Sequence, residues 1–522
     1  MKRFASLLSL LLSILLFTTA CRLPVHAATQ PEVQNEADGW WRNVVYYEIF
    51  VRSYADSNGD GVGDFNGITS KLDYLQSLGI GGIWLMPIHP SPSYHGYDVT
   101  DYYAVNPEYG TLDDFKRLLD EAHKRNIRVI IDLVLNHSSS QHPWFQSAMS
   151  DINSPYRDWY LWADAPQAWG KWRETPTGYY YGYFCDCMPD LNYANSALTA
   201  EMEMVVKFWL TDVGVDGFRL DAAKHLFEAD GKIENVPATH EWFKTFYRNY
   251  KRIDPEAYTV GEVYGAGGFL AATYEGQMDH IFNFELASGF MNSANAGVSS
   301  AVNSAYQFSL SDMPDGDYAV FLTNHDQNRV MTTLNGNMDK ARIAASFLLT
   351  APGTPFIYYG EEIGMTGAKP DEMIRTPMQW NADMNAGFSA ETPWEAVNSD
   401  FAQGVNVAAQ ENDPSSLFSH YRALIRIRNE HPALRTGSLM ILDTGNAGVF
   451  AMVRAQGDDM ILILINLTPQ LLGDYSLNLI GTPLENGKHQ LTPLMGAGDN
   501  TNTMSQPVAE LAPYSTHLFQ IK

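Results

Sequence analysis

The sequence predicts an α/β fold: a (β/α)8 barrel, a loop-rich domain inserted after its third strand, and a C-terminal antiparallel β-sandwich. Three observations support this prediction. Apolar runs alternate with amphipathic helical patterns over residues 38–137 and 194–434. The alternation stops over residues 138–193, which form the insertion. From about Leu439 the apolar pattern has a period of two residues, so residues 435–522 are predicted to form the C-terminal domain.

Eight apolar runs have the length and composition of buried parallel strands. They lie at residues 44–50, 82–87, 128–135, 215–220, 258–263, 280–286, 319–323 and 354–359. Helices are predicted between them at 68–78, 112–125, 198–210, 240–253 and 341–349, with the last barrel helix at 417–428. Thr111 is a suitable N-cap for the second of these helices, with Asp113 and Asp114 in its first turn.

The other two domains have different patterns. Residues 138–193 are rich in Trp, Tyr, Pro and Asp and show no helical period. A long excursion of this kind after a barrel strand is usually functional. In the C-terminal domain, strands are predicted at 440–443, 449–453, 460–466 and 515–521.

The amino-terminal 27 residues have the pattern of a secretory signal. A basic start precedes an apolar run from Leu7 to Phe17 that is too short to span a membrane comfortably. Cleavage before Cys21, at a segment that resembles a bacterial lipoprotein box, gives a lipid-anchored protein, whereas cleavage after Ala27 gives a soluble one. We therefore expect an extracytoplasmic protein, secreted or anchored to the cell surface, whose only membrane contact is a lipid on Cys21.

Composition limits the partners. The formal charge is −26, from 34 basic and 60 acidic residues. Such a surface repels phosphate backbones, so nucleic acid is not expected as a partner. It is compatible with a neutral substrate and divalent cations, although much of the charge can simply aid solubility.

Three cysteines are present, Cys21, Cys185 and Cys187. The close pair Cys185 and Cys187 is compatible with a disulfide, with a soft-metal site or with two free thiols. No framework of disulfides supports the fold.

Four segments place carboxylates or histidines at the end of an apolar run. They are residues 132–137, 217–221, 261–264 and 321–326. In a (β/α)8 barrel the carboxyl ends of all strands open onto one face, so Asp221, Glu262 and Asp326 are predicted to meet there. Three carboxylates in one pocket can divide the work of glycoside cleavage. One such aspartate alone is more often a helix cap or an ion-pair member, and it is the joint arrangement that favours catalysis.

Together with Met188-Pro-Asp-Leu-Asn192 in the insertion, these motifs resemble those of the α-amylase family of glycoside hydrolases, which are TIM barrels. The resemblance covers nearly all of the chain after the signal. It implies that Asp221 is the nucleophile of a retaining reaction and that Glu262 acts first as acid and then as base. Asp326 would bind sugar hydroxyls and favour a distorted ring. Arg219 would hold Asp221 ionised, and nearby negative charges would keep Glu262 protonated.

The resemblance also implies a set of substrate-binding side chains. Tyr97 would stack on the sugar at the cleavage point, and three histidines would bond its hydroxyls. The pair Lys224 and His225 would face the leaving group. The full predicted set is His95, Tyr97, Asp98, His137, Arg219, Lys224, His225, His325, Asp371 and Arg375.

Two segments are candidates for structural Ca²⁺, and no redox or organic cofactor is expected. The first alternates oxygen ligands as the start of an EF-hand loop does, with Asp56, Asn58, Asp60, Val62 and Asp64. Gly67 occupies the place of the closing glutamate, and a polar glycine-rich turn is the alternative. The second site is implied by resemblance and uses Asn136, Asp190 and the backbone carbonyl of His225.

Features of two activities are combined in the motifs. Lys224, His225 and Met188 resemble those of α-amylases, whereas Asp98 and Thr376-Pro-Met-Gln-Trp380 resemble those of oligo-1,6-glucosidases. We predict a monomeric α-amylase that cuts internal α-1,4 bonds of starch and maltooligosaccharides with retention. The alternatives are an exo-acting α-glucosidase, oligo-1,6-glucosidase or transglucosidase, and, more remotely, a non-catalytic carbohydrate-binding or interaction protein.

Overall fold

The structure is a computed structural model that describes residues 39–229, 231–265, 267–313, 316–485, 489–496 and 504–522. The predicted signal over residues 1–27, its Cys21 and residue 38 lie outside the described residues. Strands are numbered β1 to β16 and α-helices α1 to α16 along the described chain.

Eight parallel strands form the predicted barrel. They are β1 (Tyr46–Ile49), β2 (Gly82–Leu85), β3 (Arg128–Leu133), β7 (Gly217–Leu220), β8 (Tyr258–Gly261), β9 (His280–Ile281), β10 (Ala319–Val320) and β11 (Thr354–Tyr358). Their order is β10-β11-β1-β2-β3-β7-β8-β9. A parallel bridge between Phe282 and Ala319 brings the two edge strands together, so the sheet closes on itself.

Helices surround the barrel and connect its strands. They are α1 (Val51–Tyr54), α2 (Phe65–Ser70), α3 (Leu72–Leu78), α4 (Leu112–Lys124), α6 (Ser196–Lys207), α7 (Pro237–Ile253), α8 (Gly268–Ala272), α9 (Phe284–Ala296), α10 (Ser300–Asp312), α11 (Val330–Thr333), α12 (Met338–Thr350), α13 (Asp371–Ile374), α14 (Val407–Gln410), α15 (Leu417–Glu430) and α16 (Pro432–Arg435). Helix α4 begins as predicted, because Thr111 and Asp114 form a reciprocal capping box. Its apolar face, which includes Phe115 and Leu118, is buried against the barrel.

The predicted strand at 280–286 is wrong beyond Ile281. Helix α9 begins at Phe284, because the side chain of Asn283 accepts a hydrogen bond from Leu286 N and caps the helix. Asn283 is itself buried and donates to Ser309 Oγ at 3.0 Å. Helix α10, which packs against α9, was not predicted at all.

The insertion is more regular than its composition suggested. It contains helix α5 (Pro143–Ser150) and a small antiparallel sheet of β4 (Trp162–Ala163), β5 (Trp172–Thr175) and β6 (Gly178–Tyr181), in the order β4-β6-β5. A bridge between His137 and Asp190 ties its end to the carboxyl end of β3. Of the three states considered for Cys185 and Cys187, the structure has the disulfide, with Cα atoms 5.2 Å apart.

The C-terminal domain is antiparallel, as predicted, although its described strands form one five-stranded sheet and not the two sheets of a sandwich. Its strands are β12 (Ser438–Leu442), β13 (Val449–Gln456), β14 (Asp459–Asn466), β15 (Leu491–Met495) and β16 (Thr516–Ile521), in the order β12-β13-β14-β16-β15. One face packs on the barrel, and over the described residues the other is covered by irregular chain that includes Tyr475, Leu484 and Leu511. None of the described helices is long and apolar enough to cross a membrane.

Candidate active site

The polar ends of β3, β7, β8 and β10 meet as predicted at one mouth of the barrel. A cleft of about 600 Å³ opens there, bounded on one side by the insertion. Ten predicted residues line it: His95, Tyr97, His137, Asp221, Lys224, His225, Glu262, Asp326, Asp371 and Arg375. Arg219 and His325 lie directly beneath this lining, in contact with it.

Arg219 contacts the two predicted catalytic carboxylates together. Its Nη1 lies 2.7 Å from Asp221 Oδ1 and its Nη2 lies 2.9 Å from Glu262 Oε2. Nη1 also donates to both carboxylate oxygens of Asp132, at 3.0 Å. The guanidinium is 1% exposed and its carbon lies 5.1 Å from the ring centroid of Trp84. Burial and four charge-assisted contacts fix its position.

The protonation of this cluster differs from the prediction for Asp221. Burial raises the pKa of Asp221 to about 8, because the attraction of Arg219 is offset by Glu262 and Asp132. Burial likewise raises the pKa of Asp132 to about 6. One guanidinium therefore does not keep all three carboxylates ionised, and the cluster retains a proton near neutral pH. In a retaining glycosidase the general acid carries the proton for the first step, and the nucleophile reacts as the carboxylate.

Asp326 is in the opposite state. Burial raises its pKa, but His325 and Arg375 lower it more strongly, and the pKa of Asp326 is about 2. Arg375 Nη2 lies 2.8 Å from Asp326 Oδ1 and also contacts Asp371 at 3.2 Å. Asp326 is therefore ionised, and the predicted pair Asp371 and Arg375 lies beside it.

His325 joins Asp326 to the back of the barrel. Its Nδ1 lies 2.6 Å from Glu48 Oε1, and its Nε2 lies 2.7 Å from the hydroxyl of Tyr97. Both His325 and Glu48 are buried. Burial lowers the pKa of His325, but Asp326 and Glu48 raise it more, so the net shift is upward. Glu48, on β1, was not predicted as a site residue.

Two other predicted histidines face the cleft. Burial lowers the pKa of His137 to about 3, so its ring is neutral, and its Nε2 is a buried atom with no hydrogen-bond partner in the described structure. In a neutral imidazole this nitrogen can donate or accept one hydrogen bond, according to the tautomer. His95 stacks on Tyr97, with ring centroids 6.0 Å apart, and its Nδ1 accepts a hydrogen bond from Tyr97 N.

The insertion side of the cleft is aromatic. His225 stacks on Tyr183 at 4.2 Å, and Lys224 Nζ donates to the carbonyl of Tyr264 at 3.2 Å. Phe184 and Tyr264 are 42% and 58% exposed at the rim of the cleft. Sequence reasoning missed both as lining residues. The aromatic-rich composition of the insertion was a signal for Phe184, and Tyr264 lies two residues after Glu262 in a predicted motif.

Asp98 does not line the cleft, contrary to the prediction. It is 3% exposed, and its Oδ1 accepts a hydrogen bond from Ser91 Oγ at 2.6 Å and another from Ser93 Oγ. These contacts turn the carboxylate into the loop, where it holds residues 91–98 in place.

The second predicted calcium site fits a cation. Asn136 Oδ1 is buried without a hydrogen-bond partner in the described structure, and Asn136 Nδ2 donates to Asp190 Oδ2 at 3.1 Å. Burial raises the pKa of Asp190 to about 7, because Asn136 and Tyr183 N only partly compensate its charge. An orphaned amide oxygen beside a buried carboxylate is a donor set that suits calcium.

The first predicted calcium loop is held by its own donors. Both carboxylate oxygens of Asp56 accept backbone hydrogen bonds, from Asn58 N, Gly59 N and Gly61 N. Asp64 accepts from Ser57 and caps helix α2 through Gly67 N. These contacts favour the alternative of a polar glycine-rich turn, and calcium in this loop stays a prediction.

A barrel whose mouth combines three carboxylates, a buried arginine and several histidines has the groups of an enzyme that acts on glycosidic bonds. Residues 48–437 match the family model described as "Alpha amylase, catalytic domain". The chain therefore belongs to the alpha-amylase family of glycoside hydrolases.

The similar proteins in this family are named for different activities. Alpha-amylase 3 of Dictyoglomus thermophilum is 45% identical over 435 residues, which cover 82% of this chain and 85% of the relative. Oligo-1,6-glucosidase of Heyndrickxia coagulans is 33% identical, over 82% of this chain and 92% of the relative. The crystal structure of alpha-amylase from H. orenii has a TM-score of 0.79 and 39% identity, and covers 92% of this chain and 99% of that one.

Proposed function

We propose that the protein is an α-amylase that hydrolyses internal α-1,4-glucosidic bonds of starch and maltooligosaccharides with retention of configuration. The observation that carries this proposal is the contact of Asp221 and Glu262 with two nitrogens of the same guanidinium. Retaining glycosidases hold their two carboxyl groups about 5–5.5 Å apart, closer than inverting enzymes do. Two carboxylates on one planar guanidinium favour that shorter separation.

The chemistry follows from the charges around Arg219. In this mechanism Glu262 is the general acid and gives a proton to the leaving oxygen. Asp221 attacks the anomeric carbon and forms a covalent glycosyl ester. Water then attacks the same carbon, Glu262 takes its proton, and Asp221 is released. Ionised Asp326 accepts hydrogen bonds from the ring hydroxyls throughout.

Internal cleavage is supported by two features of the cleft. Asp98, which would close a pocket around the chain end, turns away into Ser91 and Ser93. On the other side the exposed rings of Phe184 and Tyr264 offer stacking surface for further glucose units. An exo-acting glucosidase remains the second candidate, because the similarity to an oligo-1,6-glucosidase extends over most of the chain.

A time course of products from end-labelled maltoheptaose and soluble starch tests this proposal. Rapid loss of iodine colour with mixed maltooligosaccharides is the result we expect. Glucose released alone from chain ends would instead assign the exo-acting activity. Glu262→Gln distinguishes an enzyme, whether endo- or exo-acting, from a carbohydrate-binding protein. In an enzyme the substitution lowers turnover about 10²- to 10⁴-fold and leaves binding in place.

The proposal extends to a cation and a location. Calcium is held by Asn136, Asp190 and the carbonyl of His225, where it fixes the insertion to the barrel, and the orphaned oxygen of Asn136 supports this role. The protein acts outside the cytoplasm as a monomer, secreted or anchored through Cys21. Its polymeric substrate and the signal pattern of residues 1–27 support that location.

A further inference from the structure

Four arginine side chains gather where the amino-terminal face of the barrel meets the C-terminal sheet. These junction arginines are Arg42, Arg428, Arg435 and Arg454. Arg428 is 1% exposed and Arg454 is 0% exposed. A protein with a formal charge of −26 thus concentrates positive charge in its interior at this place.

The two buried guanidiniums have neutral partners. Over the described residues, the hydrogen bonds of Arg428 and Arg454 all go to main-chain carbonyl oxygens. Several of these carbonyls belong to the carboxyl end of helix α12 and the turn after it. A helix carboxyl terminus carries a partial charge of about −0.5, which is less than the two full charges that it faces.

Two acidic side chains lie near the junction. Asp317 pairs with Arg42 at 2.5 Å, so one of the four junction arginines already has an acidic partner. Asp459 accepts hydrogen bonds from His431 Nδ1 at 2.9 Å and from Ala433 N at 3.0 Å. Burial accordingly lowers the pKa of Arg454 to about 10. An uncompensated buried charge is costly, so the junction favours an anion.

A small cavity lies among these side chains. Its volume is about 20 Å³, and its lining includes the side chains of Arg42, Arg435 and Arg454 and the residues Thr354 and Thr436. No carboxylate is among the described residues that line it. Arg435 Nε is a buried donor without a hydrogen-bond partner in the described structure. One water-sized particle needs roughly 10–15 Å³, so the cavity has room for a single small ion.

We propose that this cavity is a binding site for one halide ion, chloride under ordinary conditions. The ion joins Arg42 of the barrel to Arg435 and Arg454 of the C-terminal domain. It neutralises part of the junction charge, so it stabilises the contact between the two domains. The site lies on the face of the barrel opposite the cleft, so its occupancy does not depend on the proposed activity.

Bromide is a direct probe of the site. Crystals of the full protein grown or soaked in sodium bromide should show an anomalous difference peak in this cavity, with Arg435 and Arg454 around it. A cavity filled by water alone gives no anomalous peak, and that result overturns the proposal. This experiment uses the unaltered protein and so does not depend on a variant that folds.

Thermal unfolding measures the energetic effect. At constant ionic strength, replacing sodium gluconate by sodium chloride should raise Tm by about 1–3 °C in a saturable manner. Arg435→Gln should abolish this increment, whereas Arg426→Gln, which changes an exposed arginine of helix α15, should retain it. Equal Tm values in chloride and gluconate, or an unchanged increment in Arg435→Gln, contradict the proposal.

Discussion

At the scale of single residues, Arg219 organises the active site. Its two terminal nitrogens contact Asp221, Glu262 and Asp132, and all of these contacts lie in a buried region of low dielectric. The sequence indicated the contact with Asp221, because the two residues lie two apart on one strand and face the same side. It did not indicate the contacts with Glu262 and Asp132, because these cross between strands.

Replacement of Arg219 by lysine tests its fork geometry. Lysine keeps the charge but is a single point donor, so it cannot serve three carboxylates at once. We expect Arg219→Lys to lower kcat about 100- to 1,000-fold, as the loss of one preorganised electrostatic contact does in other enzymes. Steady-state kinetics on maltoheptaose measure this. Arg117→Lys, at a half-exposed position on helix α4, is the matched control. Equal activities of the two variants would show that activity does not depend on the planar guanidinium of Arg219.

Glu48 should affect the alkaline limb of the activity profile through His325. The groups that face His325 are Glu48, Asp326, Tyr97 and Arg375, and the two carboxylates raise its pKa against the effect of burial. A raised pKa keeps the imidazolium charged to higher pH, and removing the charge of Glu48 reverses part of that shift.

We therefore expect Glu48→Gln to move the alkaline limb of the kcat/KM profile to lower pH by about one unit, with the acid limb little changed. The pH dependence of kcat/KM from pH 4 to 10 provides the measurement. An alkaline limb at the same pH in the variant and the unaltered protein would show that Glu48 only fills space.

At the scale of elements, polar residues within apolar runs decide where strands end. The run at 280–286 has the composition of a strand, yet Asn283 ends the extended segment by capping helix α9. Strand β15 was not predicted, because it contains Pro493, which has no backbone N–H to donate. An edge strand tolerates proline, but in a sequence a proline argues against a strand. The other seven barrel strands were predicted because their runs are mostly apolar, and the structure buries almost all of their residues.

Asn283→Ala should be more damaging than the loss of an ordinary cap. It removes the acceptor for Leu286 N and leaves Ser309 Oγ without its buried partner. We expect a loss of about 1–3 kcal/mol in the free energy of unfolding, measured by denaturant titration. Asn337→Ala removes the cap of helix α12 at a more accessible site and should cost about 1 kcal/mol or less. An equal or smaller loss at Asn283 would contradict this account.

At the scale of the whole molecule, the insertion completes the cleft and is tied to the barrel at Asn136, His137 and Asp190. The carboxylates at the strand ends could be predicted, because barrel topology alone brings them together. Glu48 lies inside β1 and has no distinguishing sequence pattern. The position of Phe184 at the rim depends on how the insertion folds, and an aromatic-rich composition does not specify that fold.

Removal of calcium tests the proposed site between the insertion and the barrel. Chelation should lower Tm by several degrees, because Asn136 and Asp190 are then left with uncompensated buried oxygens. Asn136→Ala should abolish the response to the chelator. Asp60→Asn, in the glycine-rich loop, should leave it unchanged if that loop is a turn. A chelator response that persists in Asn136→Ala would assign the ion elsewhere.

The most direct test of the central claim is the anomeric configuration of freshly released products. Proton NMR during the first minutes of maltoheptaose hydrolysis distinguishes new α reducing ends from β ends before mutarotation mixes them. Double displacement by Asp221 and Glu262 predicts that the α anomer appears first. Initial appearance of the β anomer would contradict a retaining mechanism and the roles assigned to both carboxylates.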